Sequence, residues 1–290
     1  MKAIKERRID YYFSKILLQI NNKLGGFNYF LNTDKMIDDR NIILIGVSAN
    51  HILGSNSEIY NGNITGLAMV STKDKNFSKF YSKGEIINND FHYSSTSRRS
   101  IANFIEEAFE QYKKENKGVP PKNIIIYRQG ISHNQLSKIK LEALDIQETC
   151  KKLNIQYYYV IVNTRTTIKF FEYHKLHSNN RSTPRYSNPE QGLIILDQIV
   201  HSNIFEFFIQ PNKVNVGCAT PTYFKVPYGN MGFPELLIKL TYWTSFIYPN
   251  YQNPIRIPHV LKMAEKLSNM IVKFTHSTLN ENLSDKQSFL

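Results

Sequence analysis

The sequence predicts an α/β fold in which a mixed sheet is flanked by helices on both faces. Short, β-branched apolar runs alternate with segments of helical periodicity between residues 41 and 165. The chain has 290 residues, 41% of them hydrophobic, so it can bury a large core without covalent cross-links. We therefore expect one domain over residues 1–290, with a short helical segment at 1–25.

Three strands and two helices predicted in the first half of the chain indicate a parallel core. Strands are predicted at 41–49, 123–130 and 156–165, and the segments 64–72 and 76–86 are predicted to form a hairpin. Between these strands, helical spacing of apolar residues predicts helices at 97–116 and 134–152. The order strand, helix, strand, helix, strand requires parallel crossovers, which place helices against the sheet. Three successive tyrosines, 157–159, are expected to pack in the core.

The second half of the chain predicts further strands and two closing helices. The strands fall at 192–197, 205–210 and 222–228, and the helices at 234–247 and 259–274. Residues 174–191 are polar and basic with a single acid, Glu190, and predict a mobile loop.

Composition narrows the functional classes. Lys and Arg number 36 against 24 Asp and Glu, which gives a formal charge of +12. This charge favours anionic partners such as RNA. Basic residues scattered over the whole surface would give the same net charge. With only Cys150 and Cys218, a disulfide framework and a cysteine zinc cluster are excluded, and a reducing compartment inside the cell is expected. No apolar run is long enough to span a bilayer, and the N-terminus is not a secretory signal, so we expect no membrane association.

Five blocks of sequence, in this order, resemble the PIWI domain of Argonaute and Piwi proteins. They are LLQINNKLGG (17–26), ILIGVSANH (43–51), IIIYRQGIS (124–132), ATPTYFKVPYGN (219–230) and LTYWTSFIYPNYQNPIRIP (240–258). The resemblance covers about residues 15 to 290 and places 1–25 at the junction of the MID and PIWI domains. It implies a ribonuclease H-like sheet, and in members that slice RNA such a sheet carries carboxylates for two Mg²⁺ ions.

The resemblance also implies that these carboxylates are replaced here. The slicing pattern G-x-D-x-x-H has Ser48 in place of its aspartate, and the pattern Y-R-D-G has Gln129 in place of the second. No acid lies between His92 and Phe104, where the glutamate finger is expected, and the last ligand position falls on Glu265. A hydroxyl and an amide are neutral, weak ligands for a hard cation. We therefore expect no slicing, no bound metal or other cofactor and no catalytic residue.

Seven residues match family positions that contact a guide strand. The resemblance places Gln19 and Lys23 at the guide 5′ phosphate, with the carboxylate of Leu290 folding back beside the same pocket. It places Arg165 and Lys169 near the seed of the guide and Arg256 and Lys262 near guide phosphates. Guanidinium and ammonium groups suit phosphate well, although a generic basic surface would look the same.

The expected function is therefore an inactive PIWI-domain protein that binds RNA within a larger ribonucleoprotein. Protein partners are expected, since the family builds half of the 5′ pocket from a MID domain and this sequence is expected to hold neither a complete MID domain nor a PAZ domain. No small-molecule substrate is expected. One alternative is a purely structural subunit that holds no guide. Another is an active ribonuclease with a rearranged metal site that uses other acids such as Glu85, Asp90 or Glu106.

Overall fold

A computed structural model describes most of the chain. The described residues are 6–32, 41–52, 64–88, 95–129, 136–174, 185–196 and 204–290. Side chains are not described for 6–11, 52, 88, 136–138 and 185. Asp90, one of the alternative acids considered in the sequence, lies outside these ranges. Among the described residues, no helix combines the length and apolar character needed to cross a membrane.

Eight strands form one mixed sheet, and two short strands form a separate ribbon. The strands of the large sheet are β1 (Ile42–Ile52), β2 (Ile64–Thr72), β3 (Phe80–Asn88), β4 (Asn123–Gln129), β5 (Gln156–Asn163), β8 (Leu193–Leu196), β9 (Phe205–Gln210) and β10 (Thr222–Gly229). Their order across the sheet is β3-β2-β1-β4-β5-β10-β9-β8. The ribbon pairs β6 (Glu172–His174) with β7 (Arg185–Ser187).

The centre of the sheet is parallel and its flanks are antiparallel. β4 pairs in parallel with β1 on one side and β5 on the other, as the alternation of strands and helices predicted. β2 and β3 form the predicted hairpin beside β1. Residues 42–45 at the start of β1 are fully buried, because both faces of this central strand are covered.

Within the described ranges, five α-helices accompany the sheet. They are α1 (Glu6–Lys23), α2 (Ser95–Glu115), α3 (Leu136–Lys152), α4 (Pro234–Trp243) and α5 (His259–Met270). A π-helical turn, Ile271–Thr275, continues α5, and a 3₁₀ turn, Glu281–Leu283, follows. One face of the sheet packs apolar side chains of α2 and α3, and the opposite face packs those of α4 and α5. The predicted fold class is thereby confirmed.

The structure corrects one element and refines others. The predicted loop at 174–191 was wrong in part, because residues 185–187 form β7 and pair with β6. A strand of three residues carries too short a pattern to be recognised without its partner. The first closing helix ends at Trp243, earlier than predicted, where the chain turns at Thr244. Tyr157, Tyr158 and Tyr159 are all buried, as expected.

Candidate nucleic-acid interface

The parallel strands β1 and β4 bring Ser48 and Gln129 to the same edge of the sheet. Val47 pairs with Arg128, so Ser48 and Gln129 are the next residues along their two strands. Ser48 lies within β1 and is buried, whereas Gln129 ends β4 and is partly exposed. The carboxyl end of a parallel strand is where α/β sheets place their binding sites.

Ser48 is engaged in a network of neutral hydrogen bonds. The Ser268 hydroxyl on α5 donates to Ser48 Oγ at 3.3 Å, and Asn50 Nδ2 donates to Ser268 Oγ at 2.6 Å. His51 Nδ1 lies 2.6 Å from Thr65 Oγ1. Burial, and then the charge of Arg128, lowers the pKa of His51, which favours its neutral form. This end of β1 is therefore polar and carries no acid.

A cleft of about 360 Å³ opens beside the end of β4. Most of its lining residues are polar or charged, and the lining consists of Gln129, Thr164, Asn212, Tyr251, Pro254, Ile255, Arg256, Ile257, Lys262 and Glu265. Four of these residues, Gln129, Arg256, Lys262 and Glu265, are positions that the sequence singled out. Gln129 Oε1 and Arg256 Nε are buried, and neither has a hydrogen-bond partner among the described residues. Unpaired buried polar atoms are costly, so they favour a polar ligand in the cleft.

The backbone around the cleft fixes the guanidinium of Arg256. Its Nη2 donates to the carbonyl of Thr164 at 2.7 Å and to that of Pro221 at 3.4 Å. Thr222 Oγ1 in turn donates to the carbonyl of Arg256 at 2.8 Å. Burial lowers the pKa of Arg256, but an arginine remains charged at neutral pH. The cleft therefore holds a positioned positive charge.

Lys262 and Glu265 lie on the first turns of α5 and pair with each other. Lys262 Nζ is 2.9 Å from Glu265 Oε2, and both side chains are partly exposed. The side chain of Pro258, which precedes α5, makes no capping hydrogen bond. The first N–H groups of a helix carry positive partial charge, which adds to the cationic character of this end of the cleft.

Among the described residues, the donors at Ser48, Gln129 and Glu265 do not fit a pair of magnesium ions. Two-metal sites need several carboxylate oxygens, because Mg²⁺ keeps hard anionic ligands. The hydroxyl of Ser48, the amide of Gln129 and a carboxylate already paired with Lys262 do not supply them. Within the described ranges, no three His, Cys, Asp or Glu side chains are grouped closely enough to hold a metal ion.

Two of the acids that the sequence left open, Glu85 and Glu106, lie away from the cleft. Glu85 is on β3, which β2 separates from β1, and it accepts a hydrogen bond from Ser100 Oγ at 2.6 Å. It also pairs with Lys83 at 3.6 Å. Glu106 is exposed on α2, on the other side of the sheet from α5. The structure does not bring these two carboxylates to Gln129.

Arg165 and Lys169 follow β5 and extend the basic surface from the cleft. Both side chains are exposed. The backbone N–H of Arg165 is fixed by Asn163 Oδ1 at 2.9 Å, and Lys169 Nζ hydrogen-bonds Thr220 Oγ1. Thr164 lines the cleft, and Arg165 and Lys169 follow it in the sequence.

Gln19, Lys23 and Leu290 are not among the residues that line the cleft. Gln19 and Lys23 are exposed near the end of α1, and their side chains make no hydrogen bond or ion pair with another described residue. Leu290 packs part of its side chain against the core. Asn28 fixes this end of α1, because its Nδ2 donates to the carbonyls of Leu18 at 2.9 Å and Pro249 at 3.1 Å.

A buried ion pair behind the cleft was not predicted from the sequence. Arg128 Nε lies 3.1 Å from Glu142 Oε1, and Tyr159 donates to the same oxygen at 2.7 Å. Arg128 and Glu142 are each 1% exposed, so the pair lies in the core. The sequence signal that could have revealed this ion pair is a glutamate at an inward-facing position of α3, because a buried charge requires a partner. The pair holds β4 against α3 immediately before Gln129.

The mixed sheet flanked by helices defines the class, a ribonuclease H-like fold. The family model described as Piwi domain matches residues 1–276. The chain therefore belongs to the Piwi domain family, which confirms the resemblance found in the sequence.

Individual relatives agree with this assignment. Protein argonaute-3 of Drosophila melanogaster is 29% identical over 282 residues, which is 95% of this chain and 29% of that protein. The crystal structure of Drosophila Piwi covers 99% of this chain and 37% of its own, with a TM-score of 0.77 and 23% identity. The structure of Kluyveromyces polysporus Argonaute with a guide RNA covers 96% of this chain and 34% of its own, with a TM-score of 0.78 and 18% identity. The chain thus spans about a third of the length of these proteins.

Proposed function

We propose that this chain binds RNA through the cleft at the end of β4 and does not cleave it. The observation that carries the proposal is the composition of the cleft, in which Arg256 and Lys262 accompany the neutral Gln129. Phosphate contacts supply most of the affinity of nucleic-acid binding and need positive charge more than precise geometry. The guide RNA in the yeast Argonaute structure supports RNA as the ligand.

The same composition argues against cleavage. The metal ions of slicing relatives require carboxylates at positions that the resemblance assigns to Ser48 and Gln129. Ser48 is buried, and its Oγ already accepts a hydrogen bond from Ser268. Glu265 is neutralised by Lys262. With these donors the cleft favours a phosphate oxygen over a divalent cation, and the chain acts as a pseudoenzyme.

We further propose that Arg165 and Lys169 extend the binding surface along the RNA. Gln19, Lys23 and the carboxylate of Leu290 are proposed to contact the 5′ end. The exposed side chains of Gln19 and Lys23 support this role, since both can reach a ligand. We expect this assembly to act in a reducing compartment inside the cell, and the free thiols of Cys150 and Cys218 are compatible with that.

Binding is tested with single-stranded RNA of about 20 nucleotides, a length that fills an extended groove. Replacing Arg256 and Lys262 by alanine should weaken binding by about tenfold or more, because two phosphate contacts are lost. Replacing Lys114 by alanine is the control, since this lysine lies on α2, away from the cleft. Equal affinity of the double variant and the native chain would contradict the cleft as the binding site.

Cleavage is tested in the same system with a complementary target RNA and Mg²⁺. The native chain should leave the target intact over hours. Metal-dependent cleavage that disappears in Glu265→Ala would instead support a nuclease with a rearranged centre.

A purely structural role is the second candidate, and one observation favours it. Five apolar side chains at helical spacing, along α1 and just after it, are about half exposed or more, namely those of Phe13, Ile16, Leu17, Ile20 and Leu24. An exposed stripe of this kind marks a protein contact. If the native chain binds no RNA at all, the structural role is preferred.

A further inference from the structure

The ribbon of β6 and β7, here called the aromatic arm (172–174 and 185–187), exposes an aromatic face. Tyr173 and Tyr186 are cross-strand partners with ring centroids 5.6 Å apart and ring planes inclined by 48°. They are 56% and 64% exposed, and Phe171, just before the arm, is 49% exposed. A soluble protein rarely leaves three neighbouring aromatic side chains open to solvent without a use for them.

The arm is held in place from its base. Phe170 packs on Phe208 of β9 with ring centroids 5.4 Å apart, while its neighbour Phe171 is left open. On the second strand, at the same end of the arm, Asn188 Nδ2 donates to the carbonyl of Gly217 at 2.7 Å, and Asn188 Oδ1 accepts from the N–H of Ala219 at 2.9 Å. The exposed tyrosines are therefore presented by an anchored element, so little conformational entropy is lost when a ligand binds.

The segment between the cleft and the arm is basic, whereas Glu172 places one acid on the arm itself. The segment that joins them begins at Thr164, which lines the cleft, and carries the exposed side chains of Arg165 and Lys169. A ligand that crosses from the cleft to the arm would meet positive charge first and aromatic rings next. Single-stranded nucleic acid has the complementary order of groups, an anionic backbone with apolar base faces.

We propose that the aromatic arm stacks unpaired bases of an RNA strand whose phosphates lie in the cleft. This inference rests on the proposed function. Tyr173 and Tyr186 supply ring faces that accept any base, because every base has a π face. Base pairing would remove the free faces, so the arm selects single-stranded over duplex RNA.

The test uses the full chain and 5′-phosphorylated RNA of about 20 nucleotides that carries 2-aminopurine at one position at a time. Stacking on a tyrosine should change the 2-aminopurine fluorescence at one or two positions in the native chain. The double variant Y173A/Y186A should lose this change and bind single-stranded RNA about tenfold more weakly. Y173F/Y186F should keep both properties, since phenylalanine retains the ring. A duplex of the same length should bind the native chain and Y173A/Y186A equally.

Phe274→Ala is the matched control, because Phe274 is an exposed aromatic residue on the π-helical turn. It should bind like the native chain. Suppose that the native chain binds RNA and that replacing Arg256 and Lys262 weakens this binding, whereas Y173A/Y186A leaves it unchanged. The arm proposal alone is then overturned, and a protein contact becomes the preferred role of the aromatic face. If the native chain binds no RNA, both proposals fail.

Discussion

At the scale of single residues, functional groups at strand ends decide which ligand the cleft accepts. Gln129 and Ser48 are uncharged, so the positive charges of Arg256 and Lys262 are offset only by Glu265 in the cleft lining. A carboxylate at either position would attract cations and repel phosphate. The difference between an amide and an acid at one position therefore changes the class of ligand.

His259, at the start of α5, gives the fold a residue-scale dependence on pH. It is fully buried, its Nδ1 lies 3.2 Å from the carbonyl of Thr244, and burial lowers its pKa from 6.5 to about 3. Between pH 6.5 and 3 the unfolded chain binds a proton at this site that the folded chain does not. This group therefore stabilises the fold fully above pH 6.5, and its contribution falls as the pH drops.

His259→Gln should flatten that dependence, because glutamine keeps an N–H donor but does not titrate. The free energy of unfolding, measured by urea at pH 7 and at pH 4.5, should change less with pH than in the native chain, by at most about 1.4 kcal/mol per pH unit. The exposed His174→Gln is the control and should keep the native slope. Identical slopes for His259→Gln and the native chain would refute the assignment.

At the scale of elements, α5 packs against β1 with backbone in direct contact. A Cβ added at Gly46 would stand 2.4 Å from the carbonyl carbon and oxygen of Val260, and backbone atoms cannot move aside as a flexible side chain can. Gly46→Ala should therefore destabilise the protein by about 1–3 kcal/mol in chemical denaturation. Gly232→Ala is the matched control, because nothing lies within 4 Å of its added Cβ. Equal stability of the two variants would contradict this packing.

The segment after α5 covers part of the edge strand β3. The N–H of Leu279 donates to the carbonyl of Gly84 at 2.8 Å, and the N–H of Ser82 donates to that of Ser284 at 2.8 Å. Exposed edge strands promote association between chains, so this cover protects the sheet.

Leu279→Pro tests the cover because proline has no N–H to donate. It should be less stable than Leu279→Ala by about 1 kcal/mol and should scatter more light on heating. Both variants lose the leucine side chain, so their difference isolates the hydrogen bond. Matching melting curves would show that the bond to Gly84 does not hold the segment.

At the scale of the whole molecule, the net charge of +12 predicts a strong dependence of RNA binding on salt. The logarithm of the association constant should fall linearly with the logarithm of salt concentration, by about 0.7 for each phosphate neutralised on a single strand. Replacing Arg256 and Lys262 together should reduce that slope by about 1.4, whereas Y173A/Y186A should lower affinity with little change in slope. A salt-independent affinity would argue against phosphate contacts altogether.

The fold was predictable to a large extent because its elements are long and regular. The stripe of Ile101, Phe104, Ile105 and Phe109 identified α2, and all four side chains are buried. The β6–β7 ribbon was missed because its pairing depends on contact between segments separated along the chain. That residues 1–290 form a single domain remains a prediction, although the Piwi family match spans 1–276.

The sequence by itself determined the family, the order of the strands and helices and the uncharged groups at Ser48 and Gln129, because these depend on residue type and local spacing. Only the tertiary structure decided which basic residues share a site. It brought Arg256 and Lys262 to Gln129, whereas Gln19, Lys23 and Leu290 are not among the residues that line the cleft. It also placed Tyr173 against Tyr186 in an exposed pair. The physical reason is that distances between residues remote in sequence are set by how sheet and helices pack.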